Sequence, residues 1–330
     1  MGNNIMKTIT LDTRKLSTIP KWVFAQADTE VLSVYDNNIT CIPRDIAKLV
    51  KLHTLNVSNN RLTDLPDTFK ALTHIQVLEI YNNNLKHIPL CLCECATLCS
   101  LTMFGNLLEE LPIEIAGLTQ LQVLHVGYNK LTHIPSEISK LSNLQELNLT
   151  GNKLTHIPPE IGMCHHLTYL DLSSNLLTSL PDTLSNCQQL KHLDLSNTQL
   201  THLPPAVYTL TNLEFLYLIG TSTFECISGD IGNLHKLKEL YITDGKLKHL
   251  PPEIGKLSNL EMLCLTDNCL HELPETIGDL QKLSRCQVEG NNLTTLPITV
   301  CNLRNIYRFI CWGNCFDDLP PAVEEFLHNH

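Results

Sequence analysis

Aliphatic and polar positions alternate along this chain with a fixed phase. Residues 144–158 show it most cleanly: Leu144, Leu147, Leu149, Leu154 and Ile157 are apolar, Asn152 interrupts them, and Pro158 closes the phrase. Leu147 and Leu149 are two residues apart, so on an extended backbone they share one face, while Asn148 and Thr150 share the other. The pattern predicts a short strand with a buried face and a presented face, followed by a turn. The proline and the P-x-x-I-x-x-L spacing after it (Pro135, Ile138, Leu141) predict a 3₁₀ or short helical turn on the return path.

The phrase repeats. Pro20, Pro43, Pro66, Pro89, Pro112, Pro135, Pro158, Pro181 and Pro204 stand 23 residues apart, as do Pro251, Pro274, Pro297 and Pro320. The step from Pro204 to Pro251 is 47, so one repeat lacks its proline and carries one extra residue. Counting that repeat gives about 14 units, the first beginning near Thr8. Asparagines fall where the backbone leaves the strand: Asn37, Asn60, Asn83, Asn106, Asn129, Asn152, Asn175, Asn268, Asn291 and Asn314. A turn buried between repeats exposes backbone polar groups, and Asn can both donate to them and accept from them. The sequence therefore predicts an asparagine ladder. It breaks at Thr198, Thr221 and Gly245, beside the irregular segment 221–228.

Units that pack only on their neighbours escape the size limit of a single core, so one solenoid is expected over 8–330, after a short tail at 1–7. An irregular repeat is expected around 213–236 and a capping segment at 320–330, where Val323, Phe326 and Leu327 form the apolar side of a short helix. The skeleton L-x-x-L-x-L-x-x-N-x-L is the leucine-rich-repeat signature. The fold class expected is thus an α/β solenoid, a leucine-rich-repeat horseshoe. Its parallel β-sheet lines the concave face, and 3₁₀ or short helical segments lie on the convex face.

Composition narrows the chemistry. With 23 basic and 34 acidic residues the net charge is −11, which argues against nucleic acid as the main partner. No run approaches the roughly 20 apolar residues of a membrane span, and the first residues hold no signal-like apolar run. Gly2 is followed by Met6 where a myristoylation pattern wants Ser or Thr. Of the 14 cysteines, Cys95, Cys164 and Cys187 occupy one recurrent apolar position, and Cys286 and Cys311 replace strand aliphatics. They read as small buried hydrophobes, which fits a reducing, cytoplasmic setting. The run Cys91, Cys93, Cys95 with Cys99 lacks the paired C-x₂₋₄-C halves of a structural zinc site. No cofactor, metal or catalytic motif is expected. His87, His133, His156, His202 and His249 recur before the Ile/Leu-Pro pair as part of the repeat phrase.

The presented strand positions form the expected partner-binding surface. In the first half they offer Tyr35, Glu79, Tyr81, Phe104, His125 and Tyr128; then Asp171 and Asp194; then Phe215, Tyr217, Ile219, Tyr241 and Met262; and finally Arg285, Arg308 and Trp312. Aromatics are only 5% of the chain, so their gathering on one face is informative, and Tyr, Trp and Arg are favoured interface anchors. Asp171 and Asp194 hold equivalent positions in adjacent repeats, but L-D-L-S is an ordinary variant of the phrase and needs no acid–base role.

At the 23-residue consensus the chain resembles the intracellular leucine-rich-repeat proteins typified by the Ras suppressor, Shoc-type scaffolds and scribble-like polarity proteins. The resemblance runs from about Thr8 to Leu327. It implies a non-enzymatic scaffold in signal transduction whose concave face holds a protein or peptide, such as part of a GTPase, kinase or phosphatase complex. The alternative is the ectodomain of a secreted or cell-surface receptor of the innate-immune kind.

Overall fold

The computed structural model describes residues 6–330, so Gly2 and its lipidation pattern lie outside the described residues. The chain divides into two compact units, one ending at Leu167 and the other spanning Thr168–His330. The first carries β1 (Thr8–Thr10), β2 (Val31–Ser33), β3 (Thr54–Asn56), β4 (Val77–Glu79), β5 (Ser100–Thr102), β6 (Val123–His125) and β7 (Glu146–Asn148). The second carries β8 (Tyr169–Asp171), β9 (His192–Asp194), β10 (Phe215–Leu218), β11 (Glu239–Ile242), β12 (Met262–Cys264), β13 (Arg285–Gln287) and β14 (Arg308–Ile310). Within each unit the strands are parallel and follow one another in sequence order.

The register explains why the period is so strict. Leu55 faces Leu78 and Leu101 faces Leu124, each 23 residues on, so strand leucines stack into continuous apolar columns. Those side chains are fully buried. A 3₁₀ turn follows the proline in most repeats, as at Ser136–Lys140 after Pro135, and it buries Ile138. Proline suits this entry because its fixed φ is extended-compatible and it needs no N–H partner there. One repeat uses a short α-helix instead, α1 (Leu90–Cys93). The chain closes in α2 (Pro321–Asn329), which buries Val323 and Phe326, with the Phe326 ring edge-on to Phe309 at 5.5 Å. Leu327 is half-buried rather than buried.

The asparagine ladder forms as the sequence predicts. Asn129 Oδ1 accepts from Leu108 N at 2.9 Å, while Nδ2 donates to Met103 O, Val126 O and Gly127 O at 3.0–3.1 Å. One carboxamide therefore ties its own turn to the preceding repeat. Asn60, Asn83 and Asn291 make the same set of bonds. Asn314, at the last rung, keeps three of the four, to Leu293 N, Val288 O and Cys311 O, and is only half-buried.

The irregular repeat has its own solution. Register shifts from 23 to 24 between β10 and β11, where Leu216 faces Leu240. Thr198 and Thr221 stand in the ladder, each buried and each donating only to the carbonyl three residues back, Leu195 O at 2.7 Å and Leu218 O at 2.9 Å. The extra residue lies just after Thr221, since Phe224, not a leucine at 223, fills the next core slot with no exposure. Ser228 replaces the proline, and the N–H so gained donates to Tyr208 Oη at 3.0 Å. At the third broken rung stands Gly245, where a Cβ would sit 2.7 Å from Asn268 Oδ1 and so press on the next rung.

Cys91, Cys93, Cys95, Cys164, Cys187 and Cys286 are buried, while Cys311, expected inside, is half-buried. Burial pushes the Cys91 thiol up to about 11 and those of Cys93 and Cys95 up to about 12. Such thiols hold almost no thiolate near neutral pH, so they pack as small hydrophobes rather than react.

Candidate binding face

The alternation of each strand sends one set of side chains into the core and leaves the other on the open sheet face. In the first unit two aromatic pairs stand there. Tyr35 and Tyr81 lie in repeats two apart, yet their ring centroids are 6.3 Å apart because the intervening position is Ser58, too small to separate them. Asn59 Nδ2 donates to Tyr35 Oη at 2.9 Å, and Asn56 Nδ2 to Glu79 Oε2 at 2.5 Å. Burial, reinforced by Tyr35 and Glu79, holds the Tyr81 phenol above its ordinary range.

Phe104 and Tyr128 form the second pair, 4.7 Å between centroids. Here the structure corrects the sequence reading. Gly127, not Tyr128, is 23 residues on from Phe104 and holds the equivalent strand position. Tyr128 occupies the turn, with φ 49°, and reaches back onto Phe104 from there. His125 Nε2 lies 3.3 Å from Glu146 Oε2, within ion-pair range but without hydrogen-bond alignment.

The second unit carries a longer aromatic row. Tyr169 and His192 stack at 4.4 Å with planes 18° apart. His192 meets the Tyr217 ring edge-on at 5.2 Å and lies 5.9 Å from Phe215. Tyr217 meets Tyr241 edge-on, again at 5.2 Å. The row thus runs through β8, β9, β10 and β11. Tyr217 Oη donates to Glu239 Oε2 at 2.8 Å, which fixes its ring; burial and that carboxylate both raise the phenol's pKa. Lys238 Nζ lies 5.9 Å from the Phe215 ring centre while paired with Glu214 at 2.6 Å.

Sequence reasoning missed Tyr169, His192 and Glu239. Their signal was present: each is the first presented residue of its strand, in the same column as Phe215. Ile219 continues the β10 column and is exposed. Asp171 faces Asp194 across β8 and β9, but it is buried rather than displayed. Its Oδ1 accepts from Ser173 N and Ser173 Oγ at 3.0 and 2.6 Å, and Asp194 Oδ1 accepts from Ser196 N at 2.8 Å. These carboxylates close their own turns. Burial raises the Asp194 carboxyl and lowers the His192 imidazole; in the latter Asp194, Asp171 and Glu239 pull the other way.

Past the row, Met262, Arg285 and Arg308 line one column of β12, β13 and β14. Arg285 lies over the Tyr307 ring, 5.0 Å from its centroid, with Nε against Tyr307 Oη. A shallow pocket opens there between Glu239, Tyr241, Glu261, Met262, Ser284, Arg285 and Tyr307. Trp312 is exposed. Among the described residues no group of three His, Cys, Asp or Glu side chains is placed to hold a metal ion, and no helix is long and apolar enough to cross a membrane.

Comparison with known proteins places this geometry. A model of a leucine-rich repeat region matches residues 153–242 and 221–308, and a leucine-rich-repeat model matches 50–108 and 115–154. Comparison with curated protein sequences gives no match. Among solved structures, a leucine-rich-repeat protein of Leptospira interrogans is 32% identical with a TM-score of 0.93, covering 98% of this chain and 81% of its own. The crystal structure of PEPR1–AtPEP1 is 27% identical with a TM-score of 0.80, covering 97% of this chain and 47% of that one. A plant peptide hormone receptor, RGFR1, in complex with RGF2 is 25% identical with a TM-score of 0.50, covering 96% and 65%. The fold is typical of protein–protein interaction domains and of non-enzymatic binding scaffolds. By repeat pattern, ladder and likeness, the chain belongs to the leucine-rich-repeat family.

Proposed function

We propose that this protein is a non-enzymatic adaptor that holds a partner protein or peptide on the open face of its strands, in intracellular signal transduction. One observation carries the reading. Tyr169, His192, Phe215, Tyr217 and Tyr241 form an unbroken aromatic row on presented positions, in a chain where aromatics are 5% of residues. Rings already packed against one another lose little freedom when a partner covers them, which favours them as anchors. Tyr35, Tyr81 and Phe104 extend the same chemistry on the first unit. A cytoplasmic setting is supported by cysteines that serve as core hydrophobes, Cys95, Cys164 and Cys187 in one recurrent slot and Cys286 in a strand. The likeness to RGFR1 in complex with RGF2 favours a second reading, a peptide receptor ectodomain, which would use the same face.

The test is affinity purification with mass spectrometry, comparing wild type with Tyr217→Ala plus Tyr241→Ala. The expected outcome is loss of specific partners with the melting temperature nearly unchanged, because both rings are only half-buried. Capture that survives both changes removes the aromatic row from the interface. Cell fractionation separates the two settings: a glycosidase-sensitive band in the medium sinks the cytoplasmic one.

A further inference from the structure

Glu289 follows β13 in the column Arg285, Gln287, Glu289, whose side chains are on the open face. It is nonetheless only 8% exposed. Its carboxylate makes no hydrogen bond or ion pair among the described residues, and Oε2 is buried without a partner. A buried carboxylate in that condition is costly, and buried charges are ordinarily paired.

The backbone shows what stands beside it. Val288 N donates to Ile310 O at 2.8 Å and Gly290 N to Trp312 O at 3.1 Å. The register therefore sets Trp312 at the position next to Glu289, one strand spacing of about 4.8 Å away. Trp312 is 72% exposed, a large indole left in solvent on the same face. Arg285 and Arg308 do not reach this spot. They lie four residues back along the strands, about 13 Å, and Arg285 is turned onto Tyr307.

We propose that Glu289 and Trp312 together form a site for an arginine side chain of the bound peptide, an inference that rests on the binding-face reading above. The guanidinium donates to the unpaired Glu289 carboxylate and lies flat on the Trp312 indole. Arginine suits the pair because its planar cation donates to the carboxylate at Oε1, the oxygen that is not enclosed, and stacks on an aromatic face in one placement. Pairing removes the cost that Glu289 bears in the free protein, so the stabilisation appears on binding.

These 330 residues hold two tryptophans, so their Trp22→Phe variant leaves Trp312 as the sole indole reporter. Acetyl-Gly-Arg-Gly amide is titrated while Trp312 emission is followed. Acetyl-Gly-citrulline-Gly amide, of the same shape without the charge, is the control. The expected result is a saturable change with the arginine peptide only. Adding Glu289→Gln should weaken it about tenfold or more, as loss of a charge-assisted bond implies. An equal response to citrulline, no saturable response to arginine, or unchanged affinity in a folded Glu289→Gln protein overturns the proposal. The arginine–citrulline contrast is decisive even if that variant folds poorly. No arginine response, together with lost partner capture in the Tyr217/Tyr241 variant, rejects this site and keeps the binding face. An arginine response with capture intact rejects the aromatic row instead.

Discussion

The repeat around Asn129 and the repeat around Thr221 solve one problem with different means. In the first, a single carboxamide satisfies an N–H of the preceding repeat and three carbonyls. In the second, the hydroxyl of Thr221 satisfies one carbonyl of its own turn. The remainder is distributed: Phe224 fills the core slot, Phe224 N donates to Thr221 O at 2.8 Å, and Tyr208 Oη takes the N–H that proline would have removed. The regular repeat thus concentrates its constraint in one residue, and the irregular one spreads it over three. A repeat can lose its two signature residues and keep its place when aromatic volume and a phenol replace them.

Four substitutions break that comparison, and equilibrium urea unfolding reads each of them. Phe224→Ala should cost most, about 3–5 kcal/mol, because it empties the space of a fully buried ring. A cost under about 1 kcal/mol would mean that the extra residue slips to close the gap. Asn129→Ala should come next, at about 2–3 kcal/mol, since it strands several buried backbone groups at once. Thr221→Val, which removes one bond and keeps the shape, should cost about 1 kcal/mol. Equal costs for these two would erase the difference between concentrated and spread constraint. Tyr208→Phe should cost least, about 0.5–1 kcal/mol, through the Ser228 N–H it leaves unpaired. Ser228→Pro in the Tyr208→Phe background removes the unpaired N–H but also the Ser228 Oγ that accepts from Asp230 N, so it should recover only part of the loss. Full recovery would mean that this cap contributes little.

How much was legible in the sequence follows the same division. The strand leucines, the asparagine ladder and the 3₁₀ turns were readable because each depends on a residue type at a fixed interval, and intervals survive without coordinates. The terminal helix and the misfit at 221–228 were readable for the same reason. The face was harder. Tyr128 was misplaced because a one-residue offset, strand column against turn, is invisible when Gly127 leaves the column empty. Tyr169, His192 and Glu239 were overlooked although Tyr169 and His192 stand at 23-residue intervals from Phe215 and Glu239 at the 24-residue step, because the second presented position of each strand drew the reading away from the first. Burial of Asp171 was unreadable because Ser173 folds back on it, a side-chain choice that the L-D-L-S phrase does not announce. The condition of Glu289 was hidden for the converse reason: what marks it is a partner it does not have.

The asparagine ladder also sets a timescale. Its bonds join residues 21 and 26 apart, as at Asn129. Contacts between neighbouring repeats are therefore local on the scale of the chain. Loop closure over so short a span is entropically light, so neighbouring repeats can nucleate anywhere and the order can spread one repeat at a time. Because each rung bonds its turn to the preceding repeat, a repeat that opens must also release bonds to its neighbours, so openings start where rungs are weakest. Hydrogen exchange in each unit should therefore report a graded profile, slowest where carboxamide rungs are consecutive and fastest at the half-buried last rung, Asn314.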